Sequence, residues 1–87
     1  MRLAKNVKFR EEKFGGVLFE TRSEKVFTLN PTAAAIVREL GVAHDEREIA
    51  RRLKDRFDDP SNAIEREVFA LIAELREKGL LEDSPRG

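Results

Sequence analysis

The chain contains no cysteine, so no disulfide can staple it and no thiolate can ligate a metal or act as a nucleophile. It has a single histidine, His44, with no second histidine or cysteine to complete a metal site. A flanking role beside a helix cap is the simpler reading of His44, and no bound metal or cofactor is expected. Three serines and no tyrosine leave nothing that pairs as nucleophile, base and orienting group, so an autonomous enzymatic activity is not expected. No apolar run approaches membrane-spanning length, and no basic start is followed by an apolar core of signal type. The expected location is therefore the cytoplasm, away from membranes. There is also no excess of either charge. The 17 basic and 17 acidic residues cancel, which argues against a generic polyanion binder.

What is present fits one domain. Eighty-seven residues can bury one modest core, roughly 60–65% of the extended surface. No internal repeat or low-complexity segment divides the chain. Charged residues make up 39% of it and read as solvated helix surface.

The chain is organised around Val26-Phe27-Thr28-Leu29-Asn30-Pro31-Thr32-Ala33. Val26, Phe27 and Thr28 are β-branched or aromatic and suit a pleated, half-buried surface. Asn30 is a favoured helix N-cap, and Pro31 stands at the first helical position, where a missing N–H costs nothing. The hydrophobic period changes here from two to 3.6 residues, strands before and helices after.

Before the junction, Met1 to Asn6 read as a lead-in. Val7–Glu11 alternates apolar and polar, as a half-buried strand does. Glu12–Gly16 reads as a turn, with Gly15 and Gly16 supplying positive φ. Val17–Glu20 is a second, central strand. Thr21–Glu24 is a polar loop, and Lys25–Leu29 a third strand. Short connections predict an antiparallel meander with the first and third strands at its edges.

After the junction, the first helix spans Pro31–Leu40, with Ala33, Ile36, Val37 and Leu40 on one face. Gly41 and Val42 are expected to end it in a left-handed Schellman turn. The second helix spans Glu46–Phe57 behind an Asp45 cap, with Ile49, Leu53 and Phe57 as its apolar seam. Its basic residues, among them Arg51, Arg52, Lys54 and Arg56, lie mostly off that seam. They read as solvated face, with enzyme docking as the lesser reading. Asp58-Asp59-Pro60 breaks the chain, with either Asp59 or Ser61 as the next cap. The third helix spans Ser61–Lys78, its core stripe being Ile64, Val68, Leu71 and Leu75. Phe69, Ile72 and Ala73 widen the stripe to one side. Gly79 is a second C′ residue with Leu80 as its apolar contact, and residues 83–87 read as a frayed tail.

The segments Phe14-Gly15-Gly16-Val17-Leu18-Phe19, Val26-Phe27-x-Leu29-Asn30-Pro31-Thr32-Ala33-Ala34, Glu48-Ile49-Ala50 and Ile64-x-x-Glu67-Val68-x-x-Leu71-Ile72-x-x-Leu75-x-x-x-Gly79-Leu80-Leu81 together resemble the PqqD family. That family comprises precursor-peptide recognition domains of ribosomal peptide natural-product pathways. The resemblance covers about residues 5–82. It departs from the common pattern at Glu67, where Asp is usual, and at Phe27, where Tyr is usual.

The resemblance implies an α+β, winged helix-turn-helix-like fold: a three-stranded antiparallel sheet followed by three helices. It implies a binding protein rather than an enzyme. The leader of a precursor peptide would add as a strand beside Lys25, Val26, Phe27, Thr28 and Leu29 and pack on the third helix. The helix residues placed in that peptide site are Arg66, Phe69, Ile72 and Ala73. The further partner it implies is a modifying enzyme, by resemblance a radical SAM enzyme, with lasso-peptide pathways also using the domain. The residues agree independently on two parts that strand addition needs: an open third-strand edge and an over-wide apolar helix. The same edge could pair with a second copy of the chain.

Two plainer readings stand beside this one. The edge could be an ordinary sheet edge without a partner, and Phe69, Ile72 and Ala73 could be core. A winged-helix DNA-binding regulator is the competing function. Against it, the third helix mixes Glu65, Glu67, Glu74 and Glu77 with its basic residues, and no strand pair is expected after it to form a wing.

Overall fold

A computed structural model describes residues 1–42, 45–57 and 63–82. Its elements run β1 (Arg2–Leu3), β2 (Val7–Glu12), β3 (Gly15–Glu20), β4 (Lys25–Leu29), α1 (Pro31–Glu39), α2 (Glu46–Arg56), α3 (Ala63–Glu77) and β5 (Leu81–Glu82). The fold is α+β, an antiparallel sheet in the order β2-β3-β4 followed by three helices. The description as winged helix-turn-helix-like is a loose one. His44, the Asp58–Pro60 break, the cap at Ser61 and the tail from residue 83 fall outside the described residues.

The sheet alternates as its sequence dictates. Val7, Phe9, Gly16, Leu18, Phe27 and Leu29 occupy the inner face in register, Val7, Leu18 and Leu29 being buried. Helix α1 starts where expected: the Asn30 side chain accepts from the Ala33 N–H at 2.8 Å, with Pro31 at the first turn. Ala34, Ala35, Ile36, Val37 and Leu40 are all buried, so α1 is enclosed on more sides than a single apolar face requires. Ile49 and Leu53 of α2 and Val68, Ile72 and Leu75 of α3 complete the core.

The end of α3 is a complete Schellman motif. Leu80 N–H bonds the Leu75 carbonyl at 2.9 Å and Gly79 N–H that of Arg76 at 3.0 Å, with Gly79 at φ 74. Leu75 and Leu80, both buried, form its apolar contact.

Several local expectations need correction. The hairpin turn is Lys13–Phe14, and Gly15 and Gly16 belong to β3. Gly15 does adopt positive φ, 143°, but for another reason: a Cβ there would strike the carbonyl oxygen of Leu29 and lie 2.5 Å from the carbonyl carbon of Asn30. The second strand of the hairpin, β3, thus packs bare backbone against the strand-to-helix junction.

Gly41 does not take positive φ, and Val42 is 60% exposed, so α1 ends in tight turns rather than a Schellman cap. Leu40 N–H bonds Val37 and Val42 N–H bonds Glu39. Phe57, at 47% exposure, lies outside the seam of α2.

The ends also differ from a frayed lead-in. Arg2 and Leu3 pair antiparallel with Glu82 and Leu81, so a strand does follow Gly79. It pairs with the start of the chain and is not a wing hairpin. Arg2 Nη2 donates to Glu82 Oε1 at 3.0 Å and the Lys5 N–H to Glu82 Oε2 at 3.0 Å. The guanidinium of Arg2 is the chief cause holding the Glu82 carboxyl below its ordinary value, helped by the Lys5 amide.

The basic face of α2 is in part a clamp. Glu39 is buried, and its carboxylate accepts from Arg52 Nε at 2.5 Å and Arg56 Nη1 at 2.7 Å. The two arginines join α2 to α1 while staying half-exposed themselves.

Candidate functional site

Both β2 and β4 are edges of the main sheet, and they differ in chemistry. β2 carries Lys8, Arg10, Glu11 and Glu12, with Glu11 paired to Arg38 at 3.2 Å. Charges of this kind guard an edge against strand addition. β4 carries Val26, Phe27, Thr28 and Leu29, with one charge, Lys25, at its start.

The ladder fixes which backbone groups of β4 reach its open side. Directly opposed residues in antiparallel strands alternate between pairs that exchange backbone bonds and pairs that do not. Thr21 N–H bonds the Asn6 carbonyl at 2.8 Å, one step beyond the Val7–Glu20 pair. By alternation, Lys8–Phe19, Arg10–Val17 and Glu12–Gly15 are the bonded pairs of β2 and β3, the last closing the two-residue turn. Gly16, Leu18 and Glu20 therefore direct their backbone groups to β4, where Leu29, Phe27 and Lys25 bond back. Val26 and Thr28 are left with N–H and C=O groups aimed away from the sheet.

Two clefts, one against this edge and one against the strand-to-helix junction, make up a trough along α3. At one end a cleft of about 230 Å³ is lined by Glu20, Ser23, Lys25, Phe27, Lys78, Gly79 and Leu80. The ammonium of Lys78 lies over the Phe27 ring. Glu20 is directly opposite Lys25, and its carboxylate accepts from the Ser23 hydroxyl at 2.6 Å and the Ser23 N–H at 2.7 Å. Those bonds, the hydroxyl first, hold the Glu20 carboxyl below its ordinary value, so it is ionised at neutral pH. At the other end a cleft of about 210 Å³ is lined by Asn30, Thr32, Ala33 and Ile36 of the junction and α1, and by Glu67, Ala70, Leu71 and Glu74 of α3. Glu67, Leu71, Glu74 and Lys78 recur at three- and four-residue spacing, one continuous row of α3.

The residues picked out in the sequence separate on this geometry. Lys25 and Phe27 line the trough with Lys78. Val26 and Thr28 sit on the outer face and supply the outward backbone groups. Leu29 and Ile72 are core, Ile72 fully so at 0% exposure.

Arg66, Phe69 and Ala73 are exposed on the opposite flank of α3 from the trough. Phe69 stands four residues after Glu65 and seven before Arg76, and those two pair with Lys54 and Glu46 of α2. The row that lines the two clefts is instead Glu67, Leu71 and Glu74 of α3, which face the junction and α1, and Lys78 just past its end, which faces β4. Sequence periodicity put Leu71 in the core stripe and the widened side at Phe69, Ile72 and Ala73; which side of the helix is left open depends on where α2 packs.

An open apolar strand edge beside a helix-lined trough, on a sheet-then-helices scaffold, defines a compact class of α+β domain. Residues 15–81 match the family described as Coenzyme PQQ synthesis protein D (PqqD), and the chain belongs to that family. Among solved structures it is similar to a lasso peptide synthetase B1 complexed with the leader peptide, with 32% identity over 91% of this chain and 93% of that chain and a TM-score of 0.75. It is also similar in fold to TbiB1 in complex with the TbiA(beta) leader peptide, with 20% identity over 97% of this chain and 98% of that chain and a TM-score of 0.80. No curated protein matches the chain.

Proposed function

We propose that this domain captures the leader segment of a ribosomally made precursor peptide as a strand added to β4 and presents it to a modifying enzyme. The observation that carries the reading is the pairing of outward Val26 and Thr28 backbone groups with the trough beside them. Strand addition draws affinity from main-chain hydrogen bonds and selectivity from adjoining side-chain pockets. Family membership and the 32% identical neighbour bound to a leader peptide support it. The domain acts by binding rather than by catalysis. Similarity to a lasso peptide synthetase favours an enzyme of lasso-peptide synthesis as the partner over the radical SAM enzyme implied by the sequence resemblance.

On this reading the trough residues are Lys25, Phe27, Leu71, Glu74 and Lys78. Proline scanning tests it. Proline is tolerated in a sheet where its absent donor is not part of the ladder. Val26→Pro is expected to fold and to lose leader affinity in calorimetric titration with the cognate leader. Phe27→Pro is expected to unfold the sheet, because the Phe27 N–H bonds β3. Phe27→Ala controls for loss of the ring. A Val26→Pro variant that melts like the parent and binds leader at full strength would overturn strand addition at this edge.

A further inference from the structure

Val26 and Thr28 present side chains as well as backbone to an added strand. Their side chains point to the outer face of the sheet, since Phe27 and Leu29 between and beyond them face the core. On that outer face Val26 is directly opposite Phe19, which is directly opposite Lys8. Val26 is 57% exposed and Phe19 37%, so two adjoining apolar side chains stand in water and end at the open edge. The next outer row is different. It runs Arg10, Val17, Thr28 and reaches the edge with a hydroxyl.

Residues directly opposed in antiparallel strands share a face and interact. An antiparallel leader residue paired with Val26 therefore places its side chain on the outer face, against Val26. The residue paired with Phe27 enters the trough, and the one paired with Thr28 returns to the outer face. We infer that the Phe19–Val26 row is a second leader subsite, on the solvent face of the sheet, which selects a β-branched or aromatic leader side chain at the position paired with Val26. The inference rests on β4 being the leader-binding edge. The physical drive is removal of the Val26 and Phe19 surfaces from water, together with the packing of like side chains across a ladder. The drive is smaller at Thr28, whose row offers only Val17 beside a hydroxyl-bearing side chain, so the two outer positions of the leader differ: apolar beside Val26, more polar beside Thr28. Recognition then alternates between faces, and a leader lacking either apolar side chain uses only half of the available contacts.

The test uses a synthetic host strand with leucine at the position paired with Phe27 and a guest position on each side. Nuclear Overhauser contacts to β4 establish the register, and fluorescence anisotropy gives affinity. Valine or tyrosine as the guest paired with Val26 is expected to bind about two- to fivefold more tightly than serine, the size of a cross-strand pair. The same exchange at the position paired with Thr28 is expected to change affinity far less. In a Phe19→Thr/Val26→Thr variant the valine-to-serine ratio is expected to fall toward one, with a thermal melt confirming the fold. Host strands that bind in register with no guest preference beside Val26, or a preference that survives in the double variant, would overturn the subsite while leaving the edge intact. Host strands that fail to bind with any guest would overturn the edge itself, and the subsite with it.

Discussion

The Nζ of Lys78 lies 5.9 Å from the centre of the Phe27 ring, joining the end of α3 to the middle of β4. The same ammonium is 3.7 Å from Glu74 on its own helix. An exposed cation–ring contact contributes about 0.5–1 kcal/mol. Lys78→Gln is therefore expected to lower stability by no more than about 1 kcal/mol in urea unfolding. Phe27→Ala removes a half-buried ring and is expected to cost about 2–3 kcal/mol, short of the value for a fully buried phenylalanine. Equal losses would mean that the Phe27 ring contributes nothing beyond its contact with the ammonium.

The two glycines with positive φ make a ranked pair. Gly15→Ala forces both an unfavourable backbone and a collision with the Leu29–Asn30 junction, and is expected to cost about 3 kcal/mol or more. Gly79→Ala adds a methyl to open space at φ +74, leaving only the left-handed penalty of about 1–2 kcal/mol. Chemical denaturation of both variants checks the order. A reversed order would contradict the close approach of β3 to the junction.

Glu39 gives an asymmetric expectation. Its carboxylate is buried, whereas Arg52 and Arg56 are half in solvent. Removing both arginines strands a buried charge, and Arg52→Ala/Arg56→Ala is expected to cost about 3–5 kcal/mol. Glu39→Gln leaves two arginines able to turn to water and is expected to cost less. The measurement is equilibrium unfolding of the two variants at neutral pH.

Glu82 sets an acid limit on the pairing of β1 and β5. Its folded-state carboxyl titrates below the ordinary value because Arg2 and the Lys5 amide favour the charged form. A depressed carboxyl stabilises the fold above its unfolded value, and that contribution is lost as pH falls through the folded one. Acidification through the region at and below the ordinary carboxylate range is expected to loosen β1 and β5, and Glu82→Gln to remove that part of the pH dependence. Carboxyl and amide NMR titration of Glu82 and Lys5 reads it directly.

Much of this was legible in the chain because local chemistry and global packing agree. The strand expected over Lys25–Leu29 coincides with β4, and Asn30 caps α1 as its type predicts. Gly79 and Leu80 announce the Schellman end of α3 by residue type alone.

Where expectation failed, the deciding contact was distant in sequence. Gly15 resembles a turn glycine until Leu29 is placed behind it. Gly41 has the spacing of a C′ residue but no demand for left-handed backbone. β1 and β5 are two residues each, too short to show a period. In α3 the spacing widens the apolar stripe toward Phe69, and only the packing of α2 puts Phe69 on the flank of the Glu65 and Arg76 ion pairs and Leu71 in the cleft beside α1.

The pairing of Arg2 with Glu82 also has a meaning in time. Bringing together residues separated by nearly the whole described chain forfeits loop entropy before any reward, and the reward is two short strands. That ladder is expected to close after the β2–β3–β4 meander and the helices have formed, and to open first when the molecule is stressed. Its amides would exchange with solvent faster than those of Leu18 or Ile72, in a local opening that leaves the β4 edge and its trough in place.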